Sequence, residues 1–352
     1  MEVKRKYHID ALRILACFMV IFNHFDLGFF AFNYKQQGSI SYWLLLLLSV
    51  FCKFAVPIFF MITGALLLKK DEPISTLYKK RVRRIAITLF TASIFYYLFE
   101  KYIINSSGVR FSSIYTSEAE YHLWYLYSYI ALLISLPFLR SIAKDLTKSK
   151  IIYLAIMYVV IRYFIPLIEL LLFNNTYRMN PRISGVFACT DIFFLPLAGY
   201  YIENRLDKAP GRNQLLAMWG INLLTLIFSM YATSLINGAV KNIWLINQAY
   251  ISLFSSTNAI VIYLTIKSLS FKKLAEKTKK ILLHLSSCTF GIYIIHLAFM
   301  RIINTRPEAG CFCELPTVAQ IGLWFLISAA VFLASYILVA VVKKLPIIKN
   351  YI

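Results

Sequence analysis

Charge is scarce in this chain, and acidic charge scarcest: only 15% of its 352 residues are charged, with 16 Asp and Glu against 37 Lys and Arg. A soluble domain carries about 25% charged residues, so water is excluded as the main solvent of this fold. Glycine-rich phosphate loops are absent. No Walker or dinucleotide signature occurs, which excludes ATP-driven transport by this chain alone. Paired Cys-x-x-Cys sets are also missing, so no metal is expected. Of the six cysteines, Cys17, Cys52, Cys189 and Cys288 fall in apolar stretches and read as packing residues. Cys311 and Cys313 have one residue between them, close for an unstrained disulfide. No loop is long enough for a second soluble domain and no internal repeat is visible, so one membrane domain over 1–352 is expected.

What the chain does have is apolar length. It is 60% hydrophobic and 16% aromatic, and a hydrocarbon core of about 30 Å takes roughly 20 apolar residues per helix. About ten such runs are present, near 9–30, 42–68, 82–104, 122–140, 150–173, 184–203, 214–236, 246–269, 281–303 and 318–343. Alternating barrel strands are absent, so an all-α bundle of about ten transmembrane helices is predicted.

The net charge of +21 would point to nucleic acid in a soluble protein. Its distribution gives another account. Counting segments alternately from an inside N-terminus, 26 of the 37 Lys and Arg fall inside and 8 outside, leaving Arg13, Lys53 and Arg162 within spans. Basic residues gather in cytoplasmic loops, so both termini are predicted cytoplasmic, membrane lipid is the expected partner, and nucleic acid is not. The opening Lys4-Arg5-Lys6 before an apolar run has the look of a signal peptide, but Arg13 and His24 interrupt that run and no small-residue cleavage site follows. A retained first helix is expected.

An ionisable group at membrane depth costs about 2.5 to 3.5 kcal/mol on insertion scales and marks a functional position by default. Arg13 and His24 are eleven residues apart, which on a helix is about 20° beyond three full turns and about 16 Å of rise. They share a face, with Arg13 near the cytoplasmic side and His24 in the outer half. Asp10 sits where it can pair with Arg13. Alone, Arg13 reads as an anchor at the inner interface. His296 in the ninth span and Asp191 in the sixth reach depths similar to that of His24; a carboxylate at Asp191 can orient an imidazole or serve as a plain structural hydrogen bond. His122, at the outer boundary of the fourth span, reads as interfacial. Lys53 and Arg162 lie near mid-span, where they suit either an anion track or structural pairing. The cluster Lys79-Lys80-Arg81-Val82-Arg83-Arg84 suits anionic lipid or the phosphates of a cytosolic cofactor, since arginine meets phosphate with paired donors.

Five segments, in order, resemble the bacterial family-three membrane acyltransferases that modify cell-surface glycans. Arg13 through His24 is similar to the family's Arg-x10-His; Phe59-Phe60-Met61-Ile62-Thr63-Gly64 to its Phe-Phe-x-x-Ser-Gly, with Thr63 for serine. Lys80 to Ile85 resembles the basic start of its third helix, Leu123-Trp124-Tyr125-Leu126 its Trp-Phe-Leu element, and Tyr293-Ile294-Ile295-His296 its Tyr-x-x-His. The resemblance implies a multi-pass enzyme of the bacterial inner membrane that moves an acyl group, usually acetyl, from acetyl-CoA or another cytoplasmic acyl-CoA to a hydroxyl of a polysaccharide or glycolipid. A sugar hydroxyl needs a base as it attacks a thioester, and histidine has a suitable ordinary pKa near 6.5. His24 is then the expected base or transient acyl carrier, with His296 and Asp191 as helpers. Arg13, Arg81, Arg83 and Arg84 are the expected ligands of the donor's phosphates. The rival reading is a secondary transporter or flippase for a lipid-linked glycan, against which stands the lack of repeated, interrupted helices.

Overall fold

The computed structural model describes residues 5–104, 117–173, 190–240, 251–305 and 307–345. Every regular element among the described residues is helical. In hydrocarbon no water satisfies the backbone, and a helix closes its own hydrogen bonds within one segment. Six helical stretches are long and apolar enough to cross a membrane: Ile40–Leu67, Ile74–Tyr102, Tyr121–Lys144, Arg212–Leu235, Glu276–Asn304 and Thr317–Val342. The other four expected runs are shorter or broken among the described residues. The first is the 17-residue helix Tyr7–Asn23 followed by a turn of helix at Asp26–Phe29. The fifth is Lys148–Val159 and Ile165–Phe173 joined through a π-helical turn, Val160–Phe164. The sixth and eighth contain Asp191–Asn204 and Ile251–Ser268. Arg110, Arg178, Arg182, Lys241, Arg306, Lys349 and Cys189 lie outside the described residues. Cys17, Cys52 and Cys288 are buried thiols, and Cys311 and Cys313 are thiols not joined in a disulfide.

The chain forms two compact units. One comprises Met1–Ala16, Lys35–Lys70 and Leu136–Lys273. Within it the helices Ala55–Leu67 and Asp191–Asn204 meet backbone to backbone: a Cβ on Gly64 would strike the Pro196 carbonyl, and one on Gly199 the Met61 carbonyl. Small residues permit such approach where no hydrophobic force drives helices together. The helices Arg212–Val240 and Ile251–Ser268 are joined by polar contacts: Trp219 Nε1 donates to Thr265 Oγ1 (3.1 Å), Asn222 Nδ2 to Asn258 Oδ1 (2.9 Å), and Thr225 bonds Thr257 (3.2 Å).

The other unit comprises Cys17–Tyr34, Asp71–Ser135 and Leu274–Ile352. Its helices Glu276–Asn304 and Thr317–Val342 pack along each other. The second buries Trp324 completely, while Leu326, Leu333 and Ile337 stay exposed, as a lipid-facing side requires. Trp324 fixes the end of the first helix. Its indole Nε1 donates to the Phe22 carbonyl (2.8 Å) and its ring stacks on Phe22 with centroids 4.1 Å apart. Gly28 lies against the same indole, which a Cβ would meet at 2.5 Å.

Candidate active site

The clamp at Phe22 and Gly28 matters because His24 lies between them. The helix Tyr7–Asn23 ends one residue before it, yet the His24 N–H still donates to the carbonyls of Val20 and Ile21 (3.1 and 3.0 Å). The imidazole is therefore carried on the last turn of a rigid element, half-buried. His296, fully buried on the Glu276–Asn304 helix, faces it: His24 Nδ1 and His296 Nε2 are 2.7 Å apart and the rings lie nearly parallel, at 10°. His296 Nδ1 is 2.7 Å from the Tyr293 carbonyl three residues back.

Proton positions follow from this chain of contacts. A carbonyl only accepts, so His296 Nδ1 is the donor to Tyr293. In neutral imidazole the other nitrogen then accepts, so His24 Nδ1 donates to His296 Nε2. Neutral His24 consequently carries its lone pair on Nε2. A base whose other nitrogen is held by a fixed orienting group is the arrangement that acyl-transfer chemistry uses.

A third imidazole closes the cluster. His122 sits in the short turn Tyr121–Leu123 that opens the Trp124–Lys144 helix, is 1% exposed, and meets the His296 ring edge-on at 5.3 Å. Its Nε2 donates to the Ile294 carbonyl (3.2 Å), which also accepts from the Tyr96 hydroxyl (2.6 Å). The Tyr293 hydroxyl donates to the His122 carbonyl in return. His122 Nδ1 has no hydrogen-bond partner among the described residues. The interfacial reading of His122 is replaced by a buried one.

Beside these rings lie two buried carboxylates and one guanidinium. Arg301 donates to Glu120 (Nη2 to Oε1, 2.9 Å) and pairs with Glu100 at 3.4 Å. Glu120 also caps the turn by accepting from the Tyr121 N–H (3.2 Å). Sequence reasoning passed over Glu100, Glu120 and Arg301. The available signal was two acids near span ends, but their shared cation is about 200 residues from Glu100 in the chain.

The expected donor ligands differ in availability. Arg81 is engaged by Glu72 through two bonds of 2.8 and 3.2 Å. Arg83 and Arg84 are exposed, Arg84 lying over the Phe290 ring at 5.8 Å. Arg13 belongs to the other unit. Its nearest carboxylate, Asp10, is 3.8 Å away and is already held by Arg5 at 3.1 and 3.2 Å. The Arg13 guanidinium thus has five N–H donors and makes no hydrogen bond among the described residues.

Asp191 lies in that same unit, at the start of its helix, and accepts from the Tyr158 hydroxyl (2.6 Å). Tyr158, Tyr163 and Ser256 hydroxyls close a buried ring of bonds of 2.7 to 3.1 Å. Residues five apart stand about 140° from each other on an α-helix; the π-helical turn Val160–Phe164 wraps more residues per turn and brings the two tyrosines together. Arg162, in that turn, is exposed, and Lys53 is half-buried.

The family model of acyltransferase family 3, described as an acyltransferase domain, matches residues 6–342. This chain belongs to that family. It is a multi-pass membrane acyltransferase, an enzyme. No curated protein and no solved structure matches it.

Proposed function

We propose that this acyltransferase moves an acyl group, acetyl foremost, from a cytoplasmic acyl-CoA to a hydroxyl of a cell-surface polysaccharide or glycolipid in the bacterial inner membrane, with both termini cytoplasmic. The observation that supports it best is the bonded line from the Tyr293 carbonyl through His296 to His24, which leaves a lone pair on His24 Nε2. On this reading His24 takes the proton of the acceptor hydroxyl as its oxygen adds to the thioester carbonyl carbon. His296 holds the ring in the correct tautomer and accepts a hydrogen bond from the imidazolium that forms. The C–S bond then breaks, and the departing thiolate recovers the proton from His24. Exposed Arg83 and Arg84 supply phosphate contacts in their unit and Arg81 contributes through its pairing with Glu72; Arg13, in the other unit, is a separate candidate phosphate ligand, since it makes no hydrogen bond among the described residues. Asp191 acts on the hydroxyl network around it.

The test is label transfer. Purified protein in lipid nanodiscs is incubated with radiolabelled acetyl-CoA and envelope glycans, beside His24→Ala. Wild type is expected to release thiol and label the glycan, and His24→Ala to lose about 10²- to 10⁴-fold in rate, the usual contribution of a positioned base. Full activity in His24→Ala would remove His24 from the chemistry. A wild type that cleaves no thioester would favour transport of a lipid-linked glycan instead.

A further inference from the structure

Attack on a thioester turns the carbonyl oxygen into an oxyanion, and a preorganised donor aimed at that oxygen is commonly the largest single contribution to such catalysis. Among the described residues, rings stand against His24 from His296 at 5.0 Å, Tyr121 at 5.2 Å and His122 at 6.3 Å between centroids. The donors of both histidines are already used. His296 Nδ1 donates to the Tyr293 carbonyl and His122 Nε2 to the Ile294 carbonyl. The nearby phenols Tyr96 and Tyr293 are used as well, on the carbonyls of Ile294 and His122. Tyr121 is different. Its hydroxyl makes no hydrogen bond among the described residues, and the residue is 37% exposed, so its O–H is open to an incoming group.

Tyr121 is also held in place. Its ring stands at 88° to that of His24, its N–H donates to Glu120 Oε1, and the Arg301 guanidinium, itself bonded to Glu120, lies 6.0 Å from its ring centroid. A cation on the ring draws density from the phenol and makes its O–H a stronger donor.

The geometry points to Tyr121 as the donor to the oxyanion of the tetrahedral intermediate, a role that rests on the acyl-transfer reading above. As the acceptor oxygen bonds to the carbonyl carbon and its proton passes to His24, the π pair moves onto the carbonyl oxygen and accepts a hydrogen bond from Tyr121 Oη. Tyr121 keeps its proton throughout. The pair returns when the C–S bond breaks.

Tyr121→Phe retains the ring and removes only the donor. In nanodiscs, with thiol release and label transfer measured beside wild type and His24→Ala, kcat is expected to fall by about 10²- to 10³-fold with the KM for acetyl-CoA within about twofold, the signature of an interaction made only in the transition state. A kcat near that of wild type, or a raised KM at unchanged kcat, overturns the role of Tyr121. In that outcome an inactive His24→Ala beside active wild type still supports the acyl-transfer reading. Wild type without thiol release overturns both. If Tyr121→Phe does not fold, 3-fluorotyrosine incorporated at position 121 keeps size and donor but ionises more readily. Ionisation destroys the donor, so the alkaline limb of the kcat profile is expected to move to lower pH; an unmoved limb overturns the role. The charged and titratable groups facing Tyr121, namely Arg301, Glu120, Asp26, Tyr96, His24 and His122, are unaltered in that comparison.

Discussion

Gly64→Ala puts a methyl group where the Pro196 carbonyl already stands. Carbon and oxygen need roughly 3.5 Å between them, and the obstacle is backbone, so no side chain can swing aside. A Cβ there lies 1.9 Å from that oxygen, so the helices Ala55–Leu67 and Asp191–Asn204 must give way by about 1.5 Å to reach ordinary contact, loosening the contact along its length. Overpacking of this kind costs about 1 to 3 kcal/mol, and the upper half of that range is expected here because both contacting groups are main chain. Gly199→Ala meets the Met61 carbonyl in the mirrored arrangement and is expected to cost as much. The decisive measurement is the double variant. One separation relieves both clashes, so the paired loss should fall short of the sum by on the order of 1 kcal/mol, within the coupling range of contacting residues. Reversible unfolding in mixed micelles, followed by tryptophan fluorescence, gives all three values. Losses that add, or either single loss under about 0.5 kcal/mol, would refute the close-contact account.

His296→Ala removes the acceptor of His24 Nδ1 and is expected to lower kcat about as far as His24→Ala, since the two act as one unit; initial rates at saturating donor check this. Arg83→Gln with Arg84→Gln should raise the apparent KM for acetyl-CoA while sparing kcat, whereas Arg81→Gln, which breaks the bond pair with Glu72, should lower the melting temperature as well. Trp324→Phe keeps the stacking on Phe22 but leaves the Phe22 carbonyl without the indole donor. A loss of about 1 to 3 kcal/mol, the usual result of orphaning a buried acceptor, is expected in the same unfolding assay.

Much of the fold was legible because membrane physics writes it plainly: apolar runs of span length become helices, and six described stretches meet that standard. The basic cluster at residues 79–84 was legible too, but its division of labour was not. Only the structure shows Arg81 spent on Glu72 while Arg83 stays exposed. Depth along separate spans placed His24 and His296 at similar levels; that they touch through specific nitrogens is tertiary information. His122 was misread because its position at a span boundary is the ordinary place for an interfacial residue, and nothing local announces that Tyr293 and Ile294 bind it on both sides. The glycine of the Phe59-to-Gly64 stretch gave no sign of its purpose until the Pro196 carbonyl appeared opposite it. Asp191 reads from sequence either as an orienting partner for imidazole or as a plain structural hydrogen bond, and its described bond goes to a tyrosine in the π-helical neighbourhood of Val160–Phe164.

The indole of Trp324 gives the enzyme a birth order. His24 leaves the ribosome well ahead of the ring that fixes its helix end, which is made some 300 residues later. A nascent chain can insert its early helices while its base is still unset. Truncation before Thr317 should therefore yield a membrane-inserted but inert protein, and co-expressing the missing helix as a separate peptide is the natural way to wake it.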